Sequence, residues 1–262
     1  FGVEMAFLSL QSKSLFELFP SEFTEGKKNM LINGLVWMGE EQFMKTQIEE
    51  KLAQGFSCIK LKIGAIDFEK ELGLLRFIRQ NFDAKTIEIR VDANGAFNSN
   101  EALSKLNQLN EFELHSIGQP IRANQIQEMK LLCQQTPFPI ALDEELIGVF
   151  GIENKRKLLE EIQPQYIILK PSLVGGFKGT LEWISIAESL NIGWWITSAL
   201  ESNIGLNAIT QFTFTLNNPM PQGLGTGGLY TNNFDCPLQI ENGHIQYNVD
   251  KQWDISNLGL QL

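Results

Sequence analysis

From residue 31 onward, short runs of β-branched and apolar residues alternate with longer stretches in which apolar residues recur at helical spacing. The runs at 32–38, 58–63, 86–92, 113–117, 139–143, 166–170, 193–197 and 220–223 predict eight strands. The stretches at 40–54, 67–81, 100–110, 124–135, 154–162, 176–190 and 202–216 predict seven amphipathic helices between them. Regular alternation of this kind is the mark of parallel βα units, so the chain reads as α/β. Eight strands with seven interposed helices predict a (β/α)8-type barrel in its (β/α)7β form, and 262 residues is close to the ~250 typical of that architecture. An open doubly wound sheet is the alternative; its dinucleotide-binding version would need a GxGxxG after the first strand, which is absent.

Two ends fall outside the repeat. Residues 1–12 read as an amphipathic helix with no capping residue before it. Residues 239–247 carry Glu241-Asn242-Gly243-His244 between alternating positions, a hairpin signal. The expected organisation is a leading helix and connection over 1–30, the barrel over 31–230, and a C-terminal extension over 231–262.

Side chains on a barrel strand alternate between the interior and the helix layer, and active sites form where the strands end. In the run at 58–63, Ile59, Leu61 and Ile63 form the helix-facing set, so Lys60 and Lys62 point inward with Lys62 at the mouth. The run at 86–92 turns Glu88, Arg90 and Asp92 inward, and Asp143 and Lys170 end the fifth and sixth strands. Each motif alone has a plainer reading: Asp92-Ala93-Asn94-Gly95 as a turn, Lys60-Leu61-Lys62 as a solvated edge, Asp143-Glu144-Glu145 as a helix cap, and Lys170-Pro171 as a strand end. Gathered at matching strand ends, two carboxylates and three ammonium groups call for a metal, a substrate or both, because unpaired buried charge is costly.

Composition narrows the chemistry. The formal net charge of −10 excludes a nucleic-acid partner that depends on a basic patch. No apolar run is long enough to span a bilayer, so no membrane insertion is expected. Three dispersed cysteines without CxxC spacing suit reduced thiols in a cytoplasmic protein. His115 and His244 are the only histidines, which directs proton chemistry toward Lys, Asp or Glu.

These motifs resemble the enolase superfamily, in particular its muconate-lactonizing-enzyme subgroup, across essentially the whole chain. That family carries Lys-x-Lys on the second barrel strand, metal-binding carboxylates ending the third, fourth and fifth, and a lysine ending the sixth. Lys60-Leu61-Lys62, Asp92-Ala93-Asn94, Asp143-Glu144 and Lys170-Pro171 match all but one of these places. Within the subgroup, the segments 32–37, 198–202 and 223–227 look like those of the o-succinylbenzoate synthases. Dipeptide epimerases, close relatives, carry Asp-x-Asp after the eighth strand where this chain has Leu224-Gly225-Thr226, a neutral mouth suited to a substrate without an amine.

The resemblance implies Mg²⁺-assisted syn dehydration of 2-succinyl-6-hydroxy-2,4-cyclohexadiene-1-carboxylate to 2-succinylbenzoate, a step of menaquinone synthesis. In that reading Lys62 is the base and Lys60 its like-charged neighbour, while Lys170 stabilises the intermediate from the opposite face. Asp92 and Asp143 ligate Mg²⁺ or Mn²⁺, and Asn94, Glu144, Ser198, Glu201 and Thr226 orient metal or substrate.

Two departures qualify it. Gly118 stands just before Gln119-Pro120, where the family has a glutamate ligand, and weaker metal binding is expected; Gln119 has the wrong parity to replace it. The family also has an N-terminal α+β capping domain, and this sequence reads as the barrel without it, leaving the mouth open to water and the C-terminal hairpin without the sheet it joins. Two other functions fit the same residues: racemisation of N-acylated amino acids by the lysine pair, and a non-catalytic barrel that binds a carboxylate or serves as a scaffold.

Overall fold

The computed structural model describes residues 1–256. Residues 257–262, the tail of the expected C-terminal extension, lie outside the described residues. Seven parallel strands follow one another in chain order around a curled sheet: β2 (Gly34–Val36), β3 (Cys58–Lys62), β4 (Glu88–Asp92), β5 (Ser116–Gly118), β6 (Ile140–Leu142), β7 (Tyr166–Leu169) and β8 (Gly193–Ile196). The eighth position is a pair of single parallel bridges, Gln222 to Ile32 and Gly223 to Thr197. Backbone bonds from Gln222 N to Leu31 O (3.0 Å) and Gly223 N to Ile196 O (2.8 Å) join the two sides of the sheet. The barrel is thus closed, and the eighth strand is shorter than the run at 220–223 predicts.

Seven helices cover the strands: α2 (Glu41–Ala53), α3 (Phe68–Asn81), α4 (Ser99–Leu109), α5 (Ile126–Gln135), α6 (Ile152–Ile162), α7 (Gly176–Ser189) and α8 (Asn203–Thr215). Each lies within two residues of its predicted bounds at both ends. Local chemistry explains the agreement: the Asp67 carboxylate accepts from Glu69 N to start α3, and Asn98 does the same for Asn100 N at α4. The core lies between the layers, where Ile59, Leu61, Ile89, Val91, Ile117, Ile140, Leu142, Ile167 and Leu169 are buried on the outward faces of their strands. Each such side chain contributes about 1.5–3 kcal/mol by leaving water.

One strand is displaced from its expected place. Residues 113–117 are the expected fourth strand, but Asn110–Phe112 form a 3-10 turn and Glu113 is left-handed at φ 48°, so the strand spans Ser116–Gly118, preceded by one bond from His115 N to Ile89 O. Ser116 and Gly118 then face Arg90 and Asp92 across the ladder.

The hairpin corrects a second expectation. Its strands, β9 (Leu238–Glu241) and β10 (His244–Tyr247), form a three-stranded antiparallel sheet with β1 (Met30–Leu31), which belongs to this chain. The hairpin turn Asn242-Gly243 has positive φ at both residues, the geometry its sequence favours. The predicted leading helix is α1 (Gly2–Gln11), packed along α7. Its Glu4 carboxylate accepts from Phe177 N and Lys178 N at the α7 N-terminus.

The lower barrel interior is filled by a cation and aromatic rings. Arg90 is almost fully buried; its guanidinium sits 4.3 Å over the Trp195 ring and donates to Glu88 Oε1 and Pro221 O. His115 packs on Tyr166 with ring centroids 4.9 Å apart. Burial, aided by the Arg90 charge and opposed by Glu88, holds the His115 pKa below its ordinary value.

Two predictions follow from this architecture. Gln222 ties the closing seam with its side chain, accepting from Ile196 N and donating to Met220 O. Gln222→Leu strands both backbone groups and should cost about 2–4 kcal/mol by urea denaturation. His115 has a depressed folded pKa, so the unfolded chain binds its proton more readily. Its contribution to stability is present above the ordinary histidine value of about 6.5 and is lost as pH falls through the folded pKa. The difference in melting temperature between the wild type and His115→Phe should therefore shift in favour of the wild type as pH rises from about 5 to about 8; a pH-independent difference would contradict the assignment.

Candidate active site

The site is built at the C-terminal ends of β3 to β7. Lys60 and Lys62, two residues apart on β3, both point inward, and their ammonium groups meet one carboxylate: Lys60 Nζ lies 2.7 Å and Lys62 Nζ 2.8 Å from Asp92 Oδ2. Asp92 ends β4 opposite Lys62 in the ladder and is fully buried. On the other side, Lys170 Nζ stands 2.7 Å from both oxygens of Asp143, which is also buried. Parity on each strand is what brings these residues to one mouth.

Asn94 joins the two halves. Left-handed at φ 45°, it accepts from Lys62 Nζ (2.6 Å) at Oδ1, donates its backbone N–H to Asp92 Oδ1 (3.1 Å), and donates Nδ2 to Glu144 Oε1 (2.8 Å). Glu144 Oε1 lies 4.0 Å from Lys170 Nζ, while its second oxygen, Oε2, is buried without a hydrogen-bond partner among the described residues.

The charges tune one another. Burial opposes the Asp92 anion, but the two lysines outweigh it and hold the carboxyl well below the usual range. Burial lowers the Lys62 pKa, and the like charge of Lys60 adds to this against the pull of Asp92. A lysine so placed gives up its proton more readily than one in water. Burial pushes the Asp143 carboxyl up to about 6, with Glu144 and Asp92 adding to the effect against Lys170. The same crowding of carboxylates favours the Lys170 ammonium, whose pKa is raised although burial alone would lower it.

Gly118 ends β5 facing Asp92. A Cβ built there would lie 3.1 Å from Asp92 Oδ1 and 3.3 Å from Ile168 Cδ1. Position 118 therefore points directly at the carboxylate cluster, as the parity reading required. Gln119 points away: its Oε1 accepts from Asp143 N and Glu145 N, and its Nε2 donates to Glu145 Oε2. It fixes the backbone that carries Asp143, a role its position beside Pro120 gave no means of reading.

As placed, no three His, Cys, Asp or Glu side chains among the described residues converge on a metal position. The type of donor does fit: Asp92, Asp143 and the unpartnered Glu144 oxygen are hard carboxylate donors of the kind that suit Mg²⁺ or Mn²⁺.

Above the cluster lies a cavity of about 290 Å³. Lys60, Lys62 and Lys170 reach it from below, and Leu35, Trp37, Leu173 and Leu200 give it apolar walls. Ser198 and Thr226 also line it, but their hydroxyls are engaged: Thr226 Oγ1 donates to Ser198 Oγ (2.9 Å), which donates to Glu201 Oε2 (2.6 Å) and accepts from Leu200 N. Glu201 also accepts from Ser172 Oγ and Ala199 N. The structure thus brings these three residues together as a network that shapes the 198–201 loop. The apolar walls were not singled out from sequence; the signal was the shared parity of Leu35 and Trp37 with Asn33.

Residues 44–250 match the family model described as enolase C-terminal domain-like. The chain is 56% identical over 243 residues to the o-succinylbenzoate synthase of Desulfotalea psychrophila, covering 93% of this chain and 66% of that protein. The crystal structure of MenC from the same organism superimposes with a TM-score of 0.85 at 54% identity, covering 91% of this chain and 66% of the other. The N-succinylamino acid racemase of Thermus thermophilus is 30% identical over 207 residues, 78% of this chain and 53% of that enzyme. The chain thus spans just under two thirds of the first relative and about half of the racemase.

Among the described residues, Asp92 is the only carboxylate within ion-pair distance of Lys60 and Lys62. Asp92→Asn leaves both ammonium groups without their counter-charge and should destabilise the fold by about 3–5 kcal/mol in urea denaturation.

Proposed function

The chain belongs to the enolase C-terminal domain-like family, and on that premise we propose that it is the catalytic barrel of an o-succinylbenzoate synthase, a carbon–oxygen lyase. The observation that carries this reading is the similarity to the Desulfotalea o-succinylbenzoate synthase, in a chain whose cavity is reached by Lys62 and Lys170 from separate strands. The substrate is 2-succinyl-6-hydroxy-2,4-cyclohexadiene-1-carboxylate, the products are 2-succinylbenzoate and water, and the pathway is that of menaquinone.

The lysines divide the work by their environments. Lys62, with its lowered pKa, takes the proton from the carbon next to the substrate carboxylate. The electron pair left behind spreads into the carboxylate, and the resulting enediolate gains from the Lys170 ammonium, which its carboxylate neighbours keep charged. Lys62 then returns the proton to the departing hydroxyl on the same face; the C–O bond breaks, water leaves and the ring becomes aromatic. Lys60 keeps like charge beside Lys62, and Asn94 accepts from Lys62 Nζ and fixes its position. Asp92 and Asp143 would hold Mg²⁺ or Mn²⁺, which supplies charge neutralisation at the substrate carboxylate. The apolar walls from Leu35, Trp37, Leu173 and Leu200 exclude water from the ring.

In this reading an α+β capping domain closes the mouth and the protein works in the cytoplasm. The buried free thiols Cys58, Cys133 and Cys236 agree with a reducing compartment, and no described helix is long and apolar enough to cross a membrane. A second reading, racemisation of an N-acylated amino acid, draws on the same pair of cavity-lining lysines.

Incubation with the cyclohexadiene substrate and Mg²⁺ should yield 2-succinylbenzoate, followed by absorbance. Lys62→Met and Lys170→Met should each lower kcat by about 10²–10⁴-fold. Proton exchange into N-succinyl amino acids without dehydration would favour the racemase instead.

A further inference from the structure

The two sides of the barrel mouth differ in chemistry. The lysines of β3 and β7 flank it; Asp92 and Asp143, on β4 and β6, stand on one side of them, and the cavity opens on the other, against β2, the segment after β8 and residues 223–226. Three hydroxyls line the cavity, and each of their hydrogens is spent within the protein. Thr197 Oγ1 donates to Gly223 O (2.9 Å), Thr226 Oγ1 to Ser198 Oγ, and Ser198 Oγ to Glu201 Oε2.

Asn33 differs from them. It lines the same cavity and is 3% exposed, yet its Oδ1 is buried without a hydrogen-bond partner among the described residues. Its backbone is fixed at the barrel seam, where its N–H donates to Gln222 O (2.9 Å). A Cβ at the next residue, Gly34, would meet Phe56 and Lys51 of α2 at 3.0–3.2 Å, so position 34 faces the helix layer and Asn33 faces the interior. A buried amide oxygen without a partner is costly, and an amide so placed is not fixed in orientation by the protein. A half-turn presents either its acceptor or its donor to a ligand. Trp37 Nε1 is also without a partner, but the indole forms an apolar wall with or without its N–H, whereas asparagine at 33 offers the cavity only its amide.

We infer that Asn33 is a specificity-determining residue whose Nδ2 donates to the carbonyl oxygen of the substrate's succinyl arm. The inference rests on the synthase reading proposed above. With the reacting carboxylate turned toward the aspartates and the ring between Lys62 and Lys170, the arm extends into the cavity on the β2 side, where a neutral donor suits an uncharged ketone. A buried donor that expects an acceptor also discriminates against a ligand lacking one, because the donor is then left unpaired.

2-Succinylbenzoate and 2-(3-carboxypropyl)benzoate, in which a methylene replaces the ketone, isolate this contact. By calorimetry with Mg²⁺ present, the wild type should bind 2-succinylbenzoate about 5-fold or more tightly than the methylene analogue, and Asn33→Leu should bind the two alike. Asn33→Ala, which cannot overfill the site, should lose the preference as well. Neither variant should melt well below the wild type, since the Asn33 oxygen has no partner to lose. A preference retained in both variants would overturn the inference while leaving the synthase reading intact. So would a marked fall in melting temperature with the preference unchanged, the signature of a purely structural amide. If the wild type binds neither compound, the synthase reading falls and the inference with it.

Discussion

The site is organised by one buried carboxylate shared between two lysines. Asp92 is fully enclosed, and Lys60 and Lys62 reach it from the adjacent strand at 2.7 and 2.8 Å. Three charges at the top of a barrel are tolerable only because they are mutually compensated, and that requirement fixes the register of β3 against β4. A one-residue slip would turn Lys60 and Lys62 into the helix layer and bring Ile59 and Leu61 into the cavity. The apolar alternation on one side of these strands and the ionic cluster on the other therefore specify the same pairing.

The same compensation sets the chemistry. Lys62 has its proton loosened by burial and by Lys60, while Lys170 has its proton secured by Asp143 and Glu144. Two lysines of identical intrinsic basicity thus acquire different tendencies from their neighbours, which is what an acid–base pair around one substrate needs. The residues behind them keep this arrangement rigid. Gln119 fixes the backbone at Asp143 and Glu145, Glu71 accepts from Gly64 N in the loop after Lys62, and the Ser198–Glu201–Thr226 network holds the opposite wall.

Gly118 shows how a single position can alter the balance. Its backbone continues β5 normally, and a Cβ there would press against the Asp92 carboxylate. The cluster comprises Asp92, Asp143 and Glu144 against Lys60, Lys62 and Lys170, so its formal charges already cancel within the protein. A side-chain carboxylate at 118 would tip that balance toward cations, and glycine leaves it even.

Much of this was legible in the sequence, because period-2 and period-3.6 patterns report directly which face of each element is buried. The strand and helix alternation, the inward parity of Lys60, Lys62, Asp92, Asp143 and Lys170, and the outward parity of Gln119 all depend on the chain's own spacing. The displaced start of β5 was hidden because the left-handed turn at Glu113 depends on the packing of the preceding 3-10 turn rather than on a glycine or asparagine. The partner of the hairpin was equally hidden, since pairing of β10 with Met30–Leu31 joins residues some 200 positions apart. Sequence determined which side chains reach the mouth of the barrel. Only the tertiary structure decided which of them touch and that Ser198 and Thr226 are engaged with Glu201, because contacts between different strands depend on three-dimensional register and not on spacing along any one of them.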